Sequence, residues 1–295
     1  MFVSKRKLNR KKMKKNLKLS VFILAISFVS NGRCFAQSIK TSFDVKISGF
    51  GKNAIIFIPG FACSGEVWNE TKVTLEKNFT CFTLTMAGFA GTKPEENPTF
   101  KKWETEIVAY IIANKIERPI IIGHSMGGSL AMAIASDYPY LVSKIVVVDA
   151  LPCLMALMNP EFKVKEVAEC SEISEQFLKA TTEEFYQMQK KSIPRLLADE
   201  SKQELVVNWS MQTDRKTFAK MYCDFSNTDL REKIATIQCP NLILLESPFV
   251  NFKPQIELQF KNMKTANLKY ASKGLHFIMF DDKEWYTNEL NQFLN

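Results

Sequence analysis

Ser125 stands at the apex of Gly123-His124-Ser125-Met126-Gly127, with a glycine two residues to either side. The chemistry open to such a serine is nucleophilic attack on a carbonyl, which needs a base to take its proton and donors to receive the oxyanion. The flanking residues say how the serine is presented. Pro119 to Ile122 are suited to a buried strand, and apolar and small residues follow the pentapeptide at helical spacing as far as Tyr138. Strand, sharp turn and helix then put the serine where its Oγ is exposed. Glycine is required on both sides because so tight a turn leaves no room for a Cβ.

That stretch resembles the nucleophile elbow of the α/β-hydrolase fold, and the likeness runs from about Phe43 to the C-terminus. The resemblance implies a serine nucleophile, an acid and then a histidine completing a triad in chain order, and an oxyanion hole of backbone N–H groups. The chain holds only two histidines. His124 is turned away from the nucleophile by the elbow and reads as a packing residue. His276 lies between the last predicted strand and the last predicted helix, where this fold supplies its base.

Two residues compete for the acid. Relatives most often place it in the loop after the strand that here spans Leu242 to Leu245. That loop begins Glu246-Ser247-Pro248, and the position expected to hold an aspartate holds Phe249. Asp149 ends the preceding strand, at the sheet edge where ligands bind, and some lipases and dehalogenases carry their acid there. Asp149 is preferred, with Glu246 as the alternative acid and otherwise a solvated surface carboxylate. Relatives commonly begin the first oxyanion loop with His-Gly; here it is Pro59-Gly60-Phe61-Ala62. The Phe61 and Met126 N–H groups are the expected oxyanion donors.

Strands alternating with helices predict one α/β-hydrolase core, a mostly parallel sheet flanked by helices, over 37–150 and 234–295. Strands are expected at Phe43–Ser48, Ala54–Ile58, Thr80–Thr85, Pro119–Ile122, Lys144–Asp149, Pro240–Leu245 and Asn267–Ala271. Helices are expected near Val67–Lys77, Thr99–Asn114, Pro254–Met263 and Asp282–Leu294. From 151 to 233 the composition turns to Glu, Lys and Gln in helical patterns without a convincing strand, which predicts a helical cap inserted between strands. The apolar loop Met86–Gly91 is expected near the rim of the site. Phe61, Phe89, Leu151, Met155 and Phe249 are the candidate substrate-binding residues, and they suggest an apolar acyl group.

The formal charge of +8 belongs to the leader. Ten of the 39 Lys and Arg, and no acid, fall within residues 1–36, leaving 29 basic against 31 acidic residues. Nothing in that balance favours nucleic acid as a partner. A lysine-rich start, the apolar run Leu19–Val29 and Cys34-Phe35-Ala36 predict a secretory signal peptide, 1–36, cleaved before Gln37. The alternatives are an uncleaved membrane anchor and a start at Met13. Export would leave the protein periplasmic or secreted, touching a membrane only through an uncleaved leader. Six cysteines then remain, with no metal-binding spacing; most read as small buried apolar residues, although export permits disulfides.

The expected activity is hydrolysis of an ester, thioester or lactone of a small molecule through an acyl-enzyme, with no metal or organic cofactor. A serine at the apex disfavours dehalogenase and epoxide hydrolase chemistry, which place an aspartate there. The same residues could serve a carbon–carbon bond hydrolase or an aminopeptidase. A ligand-binding protein on a hydrolase shell is a third reading, which has no chemical need of Ser125, Asp149 and His276 together.

Overall fold

Runs of branched apolar residues build the sheet on which the site depends. The computed structural model describes residues 41–166 and 170–295; the leader and its cleavage point lie outside them. The strands are β1 (Phe43–Ser48), β2 (Asn53–Ile58), β3 (Phe79–Met86), β4 (Ile120–His124), β5 (Lys144–Val148), β6 (Asn241–Leu245) and β7 (Leu268–Tyr270). They lie side by side in the order β1-β3-β2-β4-β5-β6-β7. Only β1 is antiparallel, pairing Phe43 with Met86 of β3; the other pairings are parallel. A parallel sheet is covered on both faces, so its strands must be apolar on both. The central strands β4 and β6 are accordingly buried at every position. At the edge, β1 turns Phe43 and Val45 inward and exposes Asp44 and Lys46, as a half-solvated strand should.

The chain steps from β2 to β3 on one side, then returns past β2 to β4 on the other. The segments leaving β2 and β4 therefore diverge, opening a crevice at the C-terminal edge of the sheet. Helices α1 (Asn69–Leu75), α2 (Phe100–Ala113) and α3 (Met126–Asp137) carry the crossovers. The Thr99 side chain caps α2 by accepting the Lys102 N–H, and the helix turns Trp103, Ile107 and Ile111 inward at one-turn spacing. Nearly every residue of α3 is buried, because it packs on β4, β5 and the turn at Lys233–Thr236.

Between β5 and β6 the described residues contain no strand. Helices α4 (Ser171–Lys179), α5 (Thr182–Ser192), α6 (Glu200–Met211) and α7 (Arg215–Ser226) fill the interval. Thr181 and Glu184 form a reciprocal capping box at the start of α5. A disulfide joins Cys170, just before α4, to Cys223 in α7. Cys63, Cys81, Cys153 and Cys239 are free and buried, in line with the sequence expectation for most of the six. After β6 come α8 (Lys253–Phe260), the short α9 (Ile278–Asp281) and α10 (Lys283–Leu294).

The expectation for Met86–Gly91 needs correction. Met86, Ala87 and Phe89 are buried, and the inserted helices hold the loop down. The Gly91 N–H donates to the Gln212 carbonyl, and the Asp214 N–H donates to the Gly88 carbonyl. An apolar loop lying under another layer is core.

Candidate active site

Ser125 follows β4 directly and opens α3 with φ 53° and ψ −124°. A residue with a side chain is crowded there, at a cost on the order of 1–3 kcal/mol, and stays only because its surroundings leave no alternative. Those surroundings are tight. A Cβ on Gly123 would lie 2.1 Å from the Gly127 carbonyl oxygen, and one on Gly127 would lie 2.3 Å from that of Ile58. The Ser125 N–H donates to the Val148 carbonyl (2.8 Å), tying the turn to the next strand. Ser125 itself remains partly exposed between the buried His124 and Met126.

His276 lies in the loop after β7, with its Nδ1 2.5 Å from Oδ2 of Asp149. Asp149 follows β5 at φ 50°, a left-handed conformation that aspartate tolerates better than most residues. Its side chain is wholly buried, and its Oδ1 accepts the Glu246 N–H at 2.7 Å. Both carboxylate oxygens thus have partners, which makes their burial tolerable. A carboxylate can only accept, so the proton sits on Nδ1 of His276 and Nε2 is left as the basic nitrogen. Burial works against the imidazolium, but the hydrogen bond and charge of Asp149, with Glu246 adding, raise the pKa of His276 above its ordinary value.

His124 does more than pack. Its Nε2 lies 2.9 Å from the His276 carbonyl oxygen. A carbonyl cannot donate, so Nε2 bears the proton and holds the backbone of His276 in place. Its Nδ1 is buried and has no hydrogen-bond partner among the described residues. Burial, and then the charge of His276, push its pKa well below the usual histidine value, so His124 stays neutral. Adjacency to Ser125 was the only sequence signal for this contact.

Glu246, read from sequence as the alternative acid and otherwise as a solvated surface carboxylate, is not a solvated surface group. It is partly buried and lines the same cavity as Ser125, Asp149 and His276. The cause is register: β5 and β6 are parallel neighbours with Val148 opposite Leu244, so both acids emerge at one edge. Burial first, then the charge of Asp149, raise the Glu246 pKa to about 7, with His276 opposing the rise.

The loop after β2 presses on the elbow. A Cβ on Gly60 would lie 2.8 Å from Nδ1 of His124 and 3.2 Å from Cβ of Ser125, which explains why a glycine precedes Phe61. Met126 is the first residue of α3, so its N–H has no acceptor within the helix.

These groups meet in a cavity of about 730 Å³. Phe61, Leu151 and Phe249 line it, as the sequence suggests; Phe89 and Met155 do not. Phe89 is fully buried one layer behind, edge-on to both Phe61 (5.3 Å) and Trp103 (5.1 Å). Met155 faces outward from the short turn Met155–Leu157, whose neighbouring leucines, Leu154 and Leu157, line the cavity instead. The sequence reading also missed the wall supplied by the inserted helices, Phe177, Phe218, Tyr222 and Phe225. Phe61 packs edge-on to Phe218 at 4.7 Å, so core and insertion share one aromatic surface. Aromatic spacing in the inserted helices marks an inward face without saying what that face meets.

Residues 53–295 match the family described as alpha/beta hydrolase fold. A pimeloyl-[acyl-carrier protein] methyl ester esterase of Aliivibrio fischeri is 23% identical over 203 residues, covering 68% of this chain and 76% of that protein. An uncharacterized protein of Mycobacterium tuberculosis is 30% identical over 106 residues, 36% of this chain and 31% of its own length. The chain thus spans only about a third of the length of that mycobacterial relative. Among solved structures, a hydrolase from Pseudomonas aeruginosa PA01 superposes with a TM-score of 0.73 at 17% identity, covering 88% of this chain and 97% of that one. Sheet order, strained elbow and family match agree: this chain belongs to the alpha/beta hydrolase fold family.

Proposed function

We propose that the protein is a serine hydrolase cleaving an ester, thioester or lactone through an acyl-enzyme. One observation carries this reading: the strained Ser125 shares a cavity with a histidine whose Nδ1 is hydrogen-bonded to a buried carboxylate. In this reading Ser125 Oγ attacks the carbonyl carbon as Nε2 of His276 takes its proton, and Asp149 stabilises the imidazolium. The Phe61 and Met126 N–H groups receive the oxyanion. His276 then protonates the departing alcohol or thiol; a water, deprotonated by the same nitrogen, releases the acid. No step calls for a metal or an organic cofactor. The Aliivibrio relative, a methyl ester esterase by name, supports the same reaction class.

The largely apolar wall favours an acyl chain over a charged acyl group. A series of p-nitrophenyl esters of increasing chain length tests both reaction and pocket. Each buried methylene is worth at most ~0.8 kcal/mol, so kcat/KM should climb by up to about fourfold per carbon and fall once the cavity is full. A flat profile would remove the cavity from acyl recognition. Failure to hydrolyse every ester, together with no fluorophosphonate labelling, would overturn the serine hydrolase reading.

Export of a mature chain beginning at Gln37 belongs to the same proposal. The Cys170–Cys223 disulfide supports it, since such bridges persist in oxidising compartments. Intact-mass measurement of secreted protein should give a chain starting at Gln37. A mass retaining residues 13–36 would favour a membrane anchor.

A further inference from the structure

Two carboxyl groups reach the base, and only one of them is bonded to it. Asp149 is fully engaged, with Oδ2 on His276 Nδ1 and Oδ1 on the Glu246 N–H. Glu246 follows the adjacent strand and lines the cavity beside both residues. Among the described residues its carboxyl takes part in no hydrogen bond or ion pair. A carboxyl in a largely apolar cavity loses hydration, and here no donor replaces it. Asp149 and His276 line the same cavity, and their charges act on it.

We propose that Glu246 is a second electrostatic partner of His276, setting the pH at which that residue becomes a base and steadying the imidazolium as it forms. The proposal rests on the serine hydrolase reading above. Glu246 acts through His276, so it is a positioning residue for the proton and not a group that touches substrate. The other titratable groups in reach come from every surrounding element. Asp149 follows β5, His124 ends β4 and is neutral, Asp281 ends α9, and Lys191 and Arg195 stand on the wall supplied by the insertion. Asp281 is engaged by the N–H groups of Ala198, Asp199 and Leu275, and Asp149 by its two donors. Glu246 is therefore the carboxyl of the group left free to change its charge.

The sign follows from the charges. An ionised Glu246 favours imidazolium, so His276 keeps its proton to higher pH and the acid limb of reactivity lies higher. Removing that charge lets Nε2 become basic at lower pH, and it withdraws stabilisation from the imidazolium of the transition state. Because Glu246 itself titrates near the same range, at about 7, the limb belongs to the pair and not to either group alone.

The test follows the rate at which a fluorophosphonate labels Ser125 as pH is varied, which requires no knowledge of the natural substrate. Glu246→Gln should move the acid midpoint down by roughly one pH unit, the scale of effect of a nearby charge. That variant should label several-fold faster than wild type on the acid side and more slowly on the alkaline plateau. Glu246→Met, which removes the charge while keeping apolar bulk, should shift the midpoint the same way. Glu246→Asp, which keeps the charge, should stay close to wild type. An unmoved midpoint in whichever of the Gln and Met variants melts with the wild type overturns the inference while leaving the serine reading intact. Wild-type protein that fails to label at any pH overturns the reading and the inference together.

Discussion

Ser125→Ala should lose ester turnover by a factor on the order of 10⁶, the scale seen when a serine hydrolase loses its nucleophile. It should take up no fluorophosphonate and should melt with the wild type. The chemical half of this expectation follows from Ser125 being the hydroxyl presented at the elbow, in the same cavity as His276. The stability half follows from what the hydroxyl does not do. Ser125 Oγ makes no hydrogen bond among the described residues, and its cavity position leaves no buried partner stranded. Alanine at φ 53° is as crowded as serine, so the strain cancels between the two proteins. Whatever activity remains would come from binding and oxyanion stabilisation alone. Undiminished labelling of the variant, located by peptide mapping, would put the nucleophile elsewhere.

Asp149→Asn should lower kcat by about four orders of magnitude while leaving the fold in place. The hydrogen bonds fix the direction of this effect. The Glu246 N–H, 2.7 Å from one carboxylate oxygen, needs an acceptor. An asparagine here must keep its carbonyl oxygen toward Glu246 and turn its NH₂ toward His276. Nδ1 of His276 then becomes an acceptor and the proton moves to Nε2, the nitrogen that has to take the serine proton. Geometry survives and the tautomer is wrong. Thermal melts run beside the kinetics separate lost chemistry from lost stability, since Asp149 is also wholly buried. If Glu246→Gln proves the crippling change and Asp149→Asn keeps near-normal kcat, then the acid is Glu246.

The residues that could be placed from sequence are those whose requirements are local. Buried parallel strands are short apolar runs stopped by punctuation, so Ala54–Ile58 before Pro59-Gly60 was legible to within a residue. The glycines around Ser125 are legible for the same reason, because a turn without room for a Cβ leaves few choices. Sequence offered Glu246 as an alternative acid, but its division of labour with Asp149 was not legible. Residue type says exposed, whereas the pairing of β5 with β6 carries it into the cavity beside Asp149. Phe89 and Met155 fail similarly, since apolar character does not tell a wall from the layer behind it or the surface outside it. The bridge between Cys170 and Cys223 spans 53 residues and depends on α4 lying along α7, which no spacing rule supplies.

His124 and His276 are 152 residues apart in the chain, but the separation that governs the geometry of the site is counted in single hydrogen bonds. Ser125 is fastened to Val148, Asp149 to Leu244, and Ala271 to Leu245, each by its own backbone N–H donating to a carbonyl on the neighbouring strand. The bond from His124 to the carbonyl of His276 then closes the circuit back to the residue beside Ser125. In engineering terms this is a closed chain of short links, and its dimensional error grows with the number of links, not with the length of polypeptide between them. Insertions in the long segments between strands leave the tolerance untouched, whereas loosening one of these bonds widens it everywhere. That asymmetry gives the helical segment after β5 freedom to reshape the cavity without detuning the spacing of Ser125 and His276.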